Sequence, residues 1–153
     1  MNERNLTLLT DFYELTMMQG YFQQKDANET VIFDAFYRNN PDGNGYAVCA
    51  GLQQVIEYLN NLHFTQADVD YLRSTGMFQE DFLDYLLHFR FSGAVSATPE
   101  RTVVFTREPL VTAVAPTLEA QLLEPALLTT IPHTTTIAPQ AARPVRATAG
   151  GRG

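Results

Sequence analysis

Apolar positions recur along this chain with two different periods, and the change from one to the other marks out its elements. In TDFYELTMMQGYF, from Thr10 to Phe22, a turn of about 100° per residue puts Phe12, Leu15, Met18 and Phe22 on one side of a helix. Tyr13, Met17 and Gly20 fall nearly opposite. Asp11 with Glu14 three residues on matches a capping box, so the helix is predicted to begin there and to fray by Gln24. One apolar face suffices to join a core. On spacing alone the second stripe reads as a contact with another layer or with a second copy more readily than as a ligand platform.

The period then shortens to two. In TVIFDAFYR, from Thr30 to Arg38, Val31, Phe33, Ala35 and Tyr37 share one face of a strand. NNPDGNG, from Asn39 to Gly45, is turn chemistry, and YAVCA after it can return as a second strand, which predicts a hairpin. Three helices are expected next: Leu52 to Leu62, Thr65 to Thr75 with Thr65 and Asp68 as a capping pair, and Glu80 to Arg90. Gly76 suits the position after a helix end. From Phe91 the runs FSGAVSA, TVVFT and PLVTAV, set off by Pro99, Pro109 and Pro116, read as strands. Thr117 then reads as the cap of a helix over LEAQLLE.

The character changes at Pro125. Everything after Glu124 lacks acidic residues, carries half of the eight prolines and ends in TAGGRG. A proline inside a helix removes a backbone bond and costs about 3 kcal/mol, so ordered helix is expected to give out near Pro125. This divides the chain into a compact unit over 1–124 and a proline-rich, poorly ordered stretch over 125–153.

Composition narrows the function classes. The chain has 153 residues, 45% of them apolar, and a net charge of −7. This acidic balance gives no support for a nucleic-acid or membrane-surface partner, which calls for clustered Lys and Arg. MNERNLTLL is too short an apolar stretch for a signal peptide, and no later run approaches the roughly 18 apolar residues of a membrane span. One cysteine, Cys49, leaves no internal disulfide. A soluble, cytoplasmic protein is the expectation.

Catalytic chemistry is sparse. His63, His88 and His133 stand apart from one another and from Cys49, without the spacing that offers a metal two ligands, so no metal site is expected. Cys49, in an apolar strand beside Gly51, reads as core packing. Glu80, Asp81 and Asp84 begin and line a helix, where the positive end of its dipole and solvent account for them. Gly43 and Gly45 lead into a strand, whereas a phosphate loop opens a helix.

Three stretches in order, LLTDFYELTMMQGYF, FDAFYRNNPDGNGYAVCAGLQQVIEYL and FLDYLLHFRFSGAVSATPERTVVFTREPLVTAVAPTLEAQLLE, cover most of Leu8 to Glu124. Together they resemble the N-terminal part of nicotinate phosphoribosyltransferases. The resemblance implies an α/β, α+β-like N-terminal domain of a type II phosphoribosyltransferase, a mixed sheet with packed helices, followed by the truncated start of an α/β barrel. It implies transfer of phosphoribosyl from phosphoribosyl pyrophosphate to nicotinate in NAD salvage, coupled to ATP hydrolysis with Mg2+, by a homodimer. It assigns Tyr13 to stacking on the nicotinate ring in a site shared between subunits.

No catalytic residue carries over, because the family's phosphorylated histidine and main phosphoribosyl pyrophosphate residues lie further on, and His133 does not stand in for that histidine. Asp11 also lies in the motif, where its capping role already accounts for it. Where the family resembles a T-K-A-A-R element, this chain has Pro139, Gln140 and Arg143 in PQAAR, and Arg101 stands where the family tends to glycine in a turn. Both departures in PQAAR can arise from single base changes, which suggests a partial or error-bearing reading frame. The expectation is therefore an N-terminal portion inactive alone. The rival readings are a noncatalytic dimerisation domain built on the Tyr13 and Met17 face, and a nicotinamide-using relative.

Overall fold

A computed structural model describes residues 5–24, 28–39 and 45–149, with side chains described up to Ile131 and at Thr134 and Thr135. Most of the NNPDGNG turn and the last residues of TAGGRG lie outside the described residues, as do the side chains of His133, Pro139, Gln140 and Arg143.

Helix α1 spans Phe12–Phe22, and three further helices follow at Leu52–Asn61 (α2), Gln66–Ser74 (α3) and Glu80–His88 (α4). The strands are β1 (Thr30–Phe36), β2 (Ala47–Val48), β3 (Ala94–Ala97), β4 (Val103–Val104) and β5 (Pro109–Pro116), and helix α5 runs from Thr117 to Ala149. Local chemistry explains several boundaries. Thr65 and Asp68 make the expected reciprocal capping box at the start of α3. Gly76 takes a φ of 68° just past the end of α3, where a Cβ is disfavoured. Thr117 differs from expectation: its hydroxyl donates to the Glu29 carbonyl and ties the start of α5 to the approach to β1.

The expected hairpin does not form. β1 pairs antiparallel with β5, from Thr30 opposite Pro116 to Phe36 opposite Pro109, while β2 pairs with β4. β3 adds to the far side of β5, giving the order β1-β5-β3. Length decides the matter. β1 has seven residues to satisfy and β2 offers two, whereas β5 offers eight.

Helix α5 packs on this sheet, where Ala113 and Ala115 keep the strand surface low enough for close approach. It also contacts α1, α2 and β2. Leu118 to Leu123 are therefore buried on every side. The sandwiched element is α5, at the centre, while α1 lies outside it.

The helix continues through Pro125, against the expectation of an end there. The proline forfeits one bond to the preceding turn, but Ala126, Leu127, Ile131 and Thr135 beyond it are buried. Burying a leucine or isoleucine is worth about 1.5–3 kcal/mol each, enough to outweigh one proline. Gly51 shows how tightly this part of α5 is held. At a φ of 102° it begins α2, and a Cβ there would meet the Thr134 hydroxyl at 2.6 Å. Without a capping side chain at Gly51, the α2 amides of Gly51 and Gln53 donate to Glu100 at 3.1 and 3.2 Å.

Arg101 adopts a φ of 68°. That is the left-handed region, which suits glycine, and a side chain in it costs about 1–2 kcal/mol.

Candidate functional site

The apolar stripe of α1 goes where its spacing directs. Leu15 and Met18 are buried, and Phe12 and Phe22 meet the aromatic rings of the α4 region: Phe12 against Phe78 and Phe22 against Phe82, each at 5.6 Å between centroids. At the rim of this seam the Gln19 amide donates to the Met77 carbonyl at 3.2 Å and its oxygen accepts from the Gln79 amide at 2.7 Å.

The second stripe faces outward. Tyr13 is 53% exposed and Met17 40%, and a Cβ at Gly20 would touch nothing within 4 Å. An exposed phenol beside an exposed thioether, on a helix anchored from behind, is a flat and accessible aromatic surface.

Behind Tyr13 lies a polar group that periodicity alone did not pick out. Glu14 is fully buried, between α1 and α5. Its Oε2 accepts from the Gln121 side-chain amide, and its Oε1 has no partner among the described residues. Asp11 occupies the N-cap position of α1, but its side chain makes no capping bond, so the expected Asp11–Glu14 capping box is absent. The Glu14 backbone amide donates to the Asp11 carbonyl at 3.0 Å, and the Glu14 carboxylate turns inward to Gln121.

The electrostatics around Tyr13 are acidic. Proximity of the phenol hydroxyl to the Glu14 carboxylate is the main cause that pushes the phenol up to about 12, helped by partial desolvation and by the charges of Glu14, Glu124 and Asp11. Glu124, one turn along α5 from Gln121, is pushed up by burial and then by Glu14. A sequence signal existed for Glu14: it lies four residues from Met18, on the buried side.

Other candidates have structural partners. Nδ1 of His63 lies 2.7 Å from the Asn61 carbonyl, and Nδ1 of His88 lies 2.8 Å from that of Asp84. Cys49 is buried, its thiol 3.4 Å from the Thr98 carbonyl and pushed up by burial. Glu80 accepts from Arg73 at 2.8 Å, which holds its carboxyl below the ordinary range. Among the described residues no group of three or more His, Cys, Asp or Glu side chains is arranged to hold a metal ion, and no helix is long and apolar enough to cross a membrane.

Residues 8–132 match the model of the nicotinate phosphoribosyltransferase N-terminal domain. The chain belongs to the nicotinate phosphoribosyltransferase family. It is 43% identical over 143 residues to nicotinate phosphoribosyltransferase pncB2 of Mycobacterium tuberculosis, covering 94% of this chain and 31% of that protein. With the Bacillus subtilis nicotinate phosphoribosyltransferase it shares 42% over 139 residues, covering 91% and 28%. The fold is similar to that of human nicotinic acid phosphoribosyltransferase, with a TM-score of 0.82 at 33% identity over 95% of this chain and 29% of the human one. The chain thus spans about three tenths of the length of these relatives. As a member of the nicotinate phosphoribosyltransferase family it has the α/β architecture of helices packed on small sheets that its motifs implied.

Proposed function

We propose that this chain is the N-terminal portion of an enzyme that joins nicotinate to the phosphoribosyl group of phosphoribosyl pyrophosphate, and that Tyr13 is a nicotinate-binding residue. The observation that carries this reading is the family match over residues 8–132 together with the exposed presentation of Tyr13 on an anchored helix. The pyridine ring is flat and electron-poor, and a phenol face binds it while excluding water. Fixing the ring nitrogen against the ribose C1 supplies the alignment that displacement of pyrophosphate requires. Positive charge developing at C1 resembles that of glycoside cleavage.

ATP as co-substrate, Mg2+ with the phosphates, a homodimeric assembly and a cytoplasmic setting belong to the same proposal, with residues 1–124 as the N-terminal domain and the part of α5 beyond Glu124 leading on from it. In this reading magnesium enters with the phosphates of phosphoribosyl pyrophosphate and ATP.

The test compares two proteins. The 153-residue chain alone is expected to form no nicotinate mononucleotide, whereas a full-length enzyme beginning with this segment forms it from nicotinate, phosphoribosyl pyrophosphate and Mg-ATP. In that enzyme Tyr13→Ala should raise the KM for nicotinate about tenfold, in line with the 0.5–1.5 kcal/mol of an aromatic pair plus lost contact area. A change in association state with an unaltered KM for nicotinate favours the dimerisation-domain reading, for which the exposed Met17 beside Tyr13 is the supporting observation.

A further inference from the structure

The polar seam behind α1 contains a carboxylate oxygen with no partner among the described residues. Glu14 is 0% exposed, and Gln121 on α5 satisfies one of its two oxygens. A buried acceptor left unpaired costs about 1–3 kcal/mol, more for a charged group, so a fold retains one only where something offsets it. The next residue back along α1 is Tyr13, whose phenol stands beside this carboxylate and whose half-exposed ring is free to turn toward it. Gln121 is already engaged, and the other groups facing the pair, Glu124 from α5 and Asp11 from the start of α1, are carboxyls.

We propose that Glu14 is a positioning residue for Tyr13. Gln121 clamps Oε2 from α5, and Oε1 receives the phenol hydroxyl when the ring turns into its working orientation, so that the aromatic face is held at a fixed angle to the surface of α1. Glu14 acts only through Tyr13 and Gln121, since its oxygens lie too deep to touch a ligand. This rests on the reading of Tyr13 as the nicotinate platform for its purpose, though not for its geometry.

The experiment labels the chain with 3-fluorotyrosine and assigns the Tyr13 resonance by fluorine NMR with Tyr13→Phe. In the unmodified chain the Tyr13 phenol should titrate about one pH unit or more above free 3-fluorotyrosine, and Glu14→Gln should bring it down by roughly that amount, a tenfold change. A midpoint equal to that of free 3-fluorotyrosine, or one unmoved by Glu14→Gln in a chain whose circular dichroism is unchanged, overturns the proposal.

If Glu14→Gln does not fold, a second reading decides. In a chain carrying Asp11→Asn and Glu124→Gln, which removes the other two carboxylates facing the phenol, the Tyr13 midpoint must still lie above that of free 3-fluorotyrosine, and its fall to that value overturns the proposal. In a full-length enzyme beginning with this segment, Glu14→Gln should raise the KM for nicotinate severalfold while that for phosphoribosyl pyrophosphate stays constant. A lowered phenol midpoint with an unchanged KM for nicotinate supports the positioning of Tyr13 and counts against the nicotinate reading alone.

Discussion

Helix α1 is held on two sides by opposite means. Toward α4 it is fastened by rings: Phe12, Phe22, Phe78, Phe82 and Tyr85 form a ladder with centroid spacings from 5.2 to 6.3 Å. Toward α5 it is fastened at one point by the Glu14–Gln121 pair, with Leu15 and Met18 packed alongside. The aromatic seam supplies area and is indifferent to small slips, because any ring meets its neighbours in several orientations. The polar seam contributes little net energy but has one register, since a shift along the helix leaves a buried carboxylate with no donor at all. Adhesion and alignment are thus assigned to different faces of the same helix.

Three single substitutions, in descending order of effect, and one double replacement test this division. Phe82→Ala removes a fully buried ring that touches Phe22, Phe78 and Tyr85, and should cost about 3–5 kcal/mol in denaturant unfolding. Glu14→Ala leaves the Gln121 amide unanswered and should cost about 1–3 kcal/mol. Replacing Glu14 and Gln121 together by leucine should be close to neutral in stability. If the double replacement is as damaging as Glu14→Ala, the polar seam contributes adhesion as well as alignment.

Glu124→Gln is the smallest. The folded-state carboxyl of Glu124 is raised, so the fold favours its protonated form and loses stability as pH rises from the ordinary glutamate value of about 4.3 through the raised one. The amide should therefore stabilise at neutral pH by no more than ~0.5 kcal/mol, given the screening of a partly exposed group, and should give no gain in acid. Unfolding followed at acid and neutral pH separates the two regimes.

Much of the fold was legible in the sequence because its signals are local. α2, α3 and α4 begin and end within two residues of their expected bounds, and the capping box of α3 formed as read. Strand partners were not legible. Alternation in β1 specifies which residues face inward and says nothing of which strand lies alongside, and the true partner begins more than seventy residues later. The extension of α5 past Pro125 was missed for a related reason: the penalty is visible in the sequence, whereas the burial of Leu127 and Ile131 that outweighs it exists only in the tertiary structure.

At the candidate site, the two-faced pattern set Tyr13 and Met17 apart from the core face, but spacing alone read that second face as a contact with another layer or a second copy, whereas in this chain it is exposed. Glu14 was misjudged because a carboxylate three residues after an aspartate has two uses, capping its own helix or bonding to a distant one. Only the presence of Gln121 across the seam, more than a hundred residues away in sequence, chooses between them.

The placement of α5 and β5 has a consequence for the growing polypeptide. The middle strand of the larger sheet and the helix that everything leans on are the last parts of this segment to be synthesised. While the first hundred residues are emerging, β1 has no strand to pair with and α1 has no surface to seat Leu15 or Met18. Closing contacts of such long separation is slow, and until it happens an unpaired strand with Ile32 and Phe36 on its outer side stands open to solvent or to a chaperone. β1 and the inner face of α1 therefore wait on β5 and α5, while α3 and α4 already have each other to pack against.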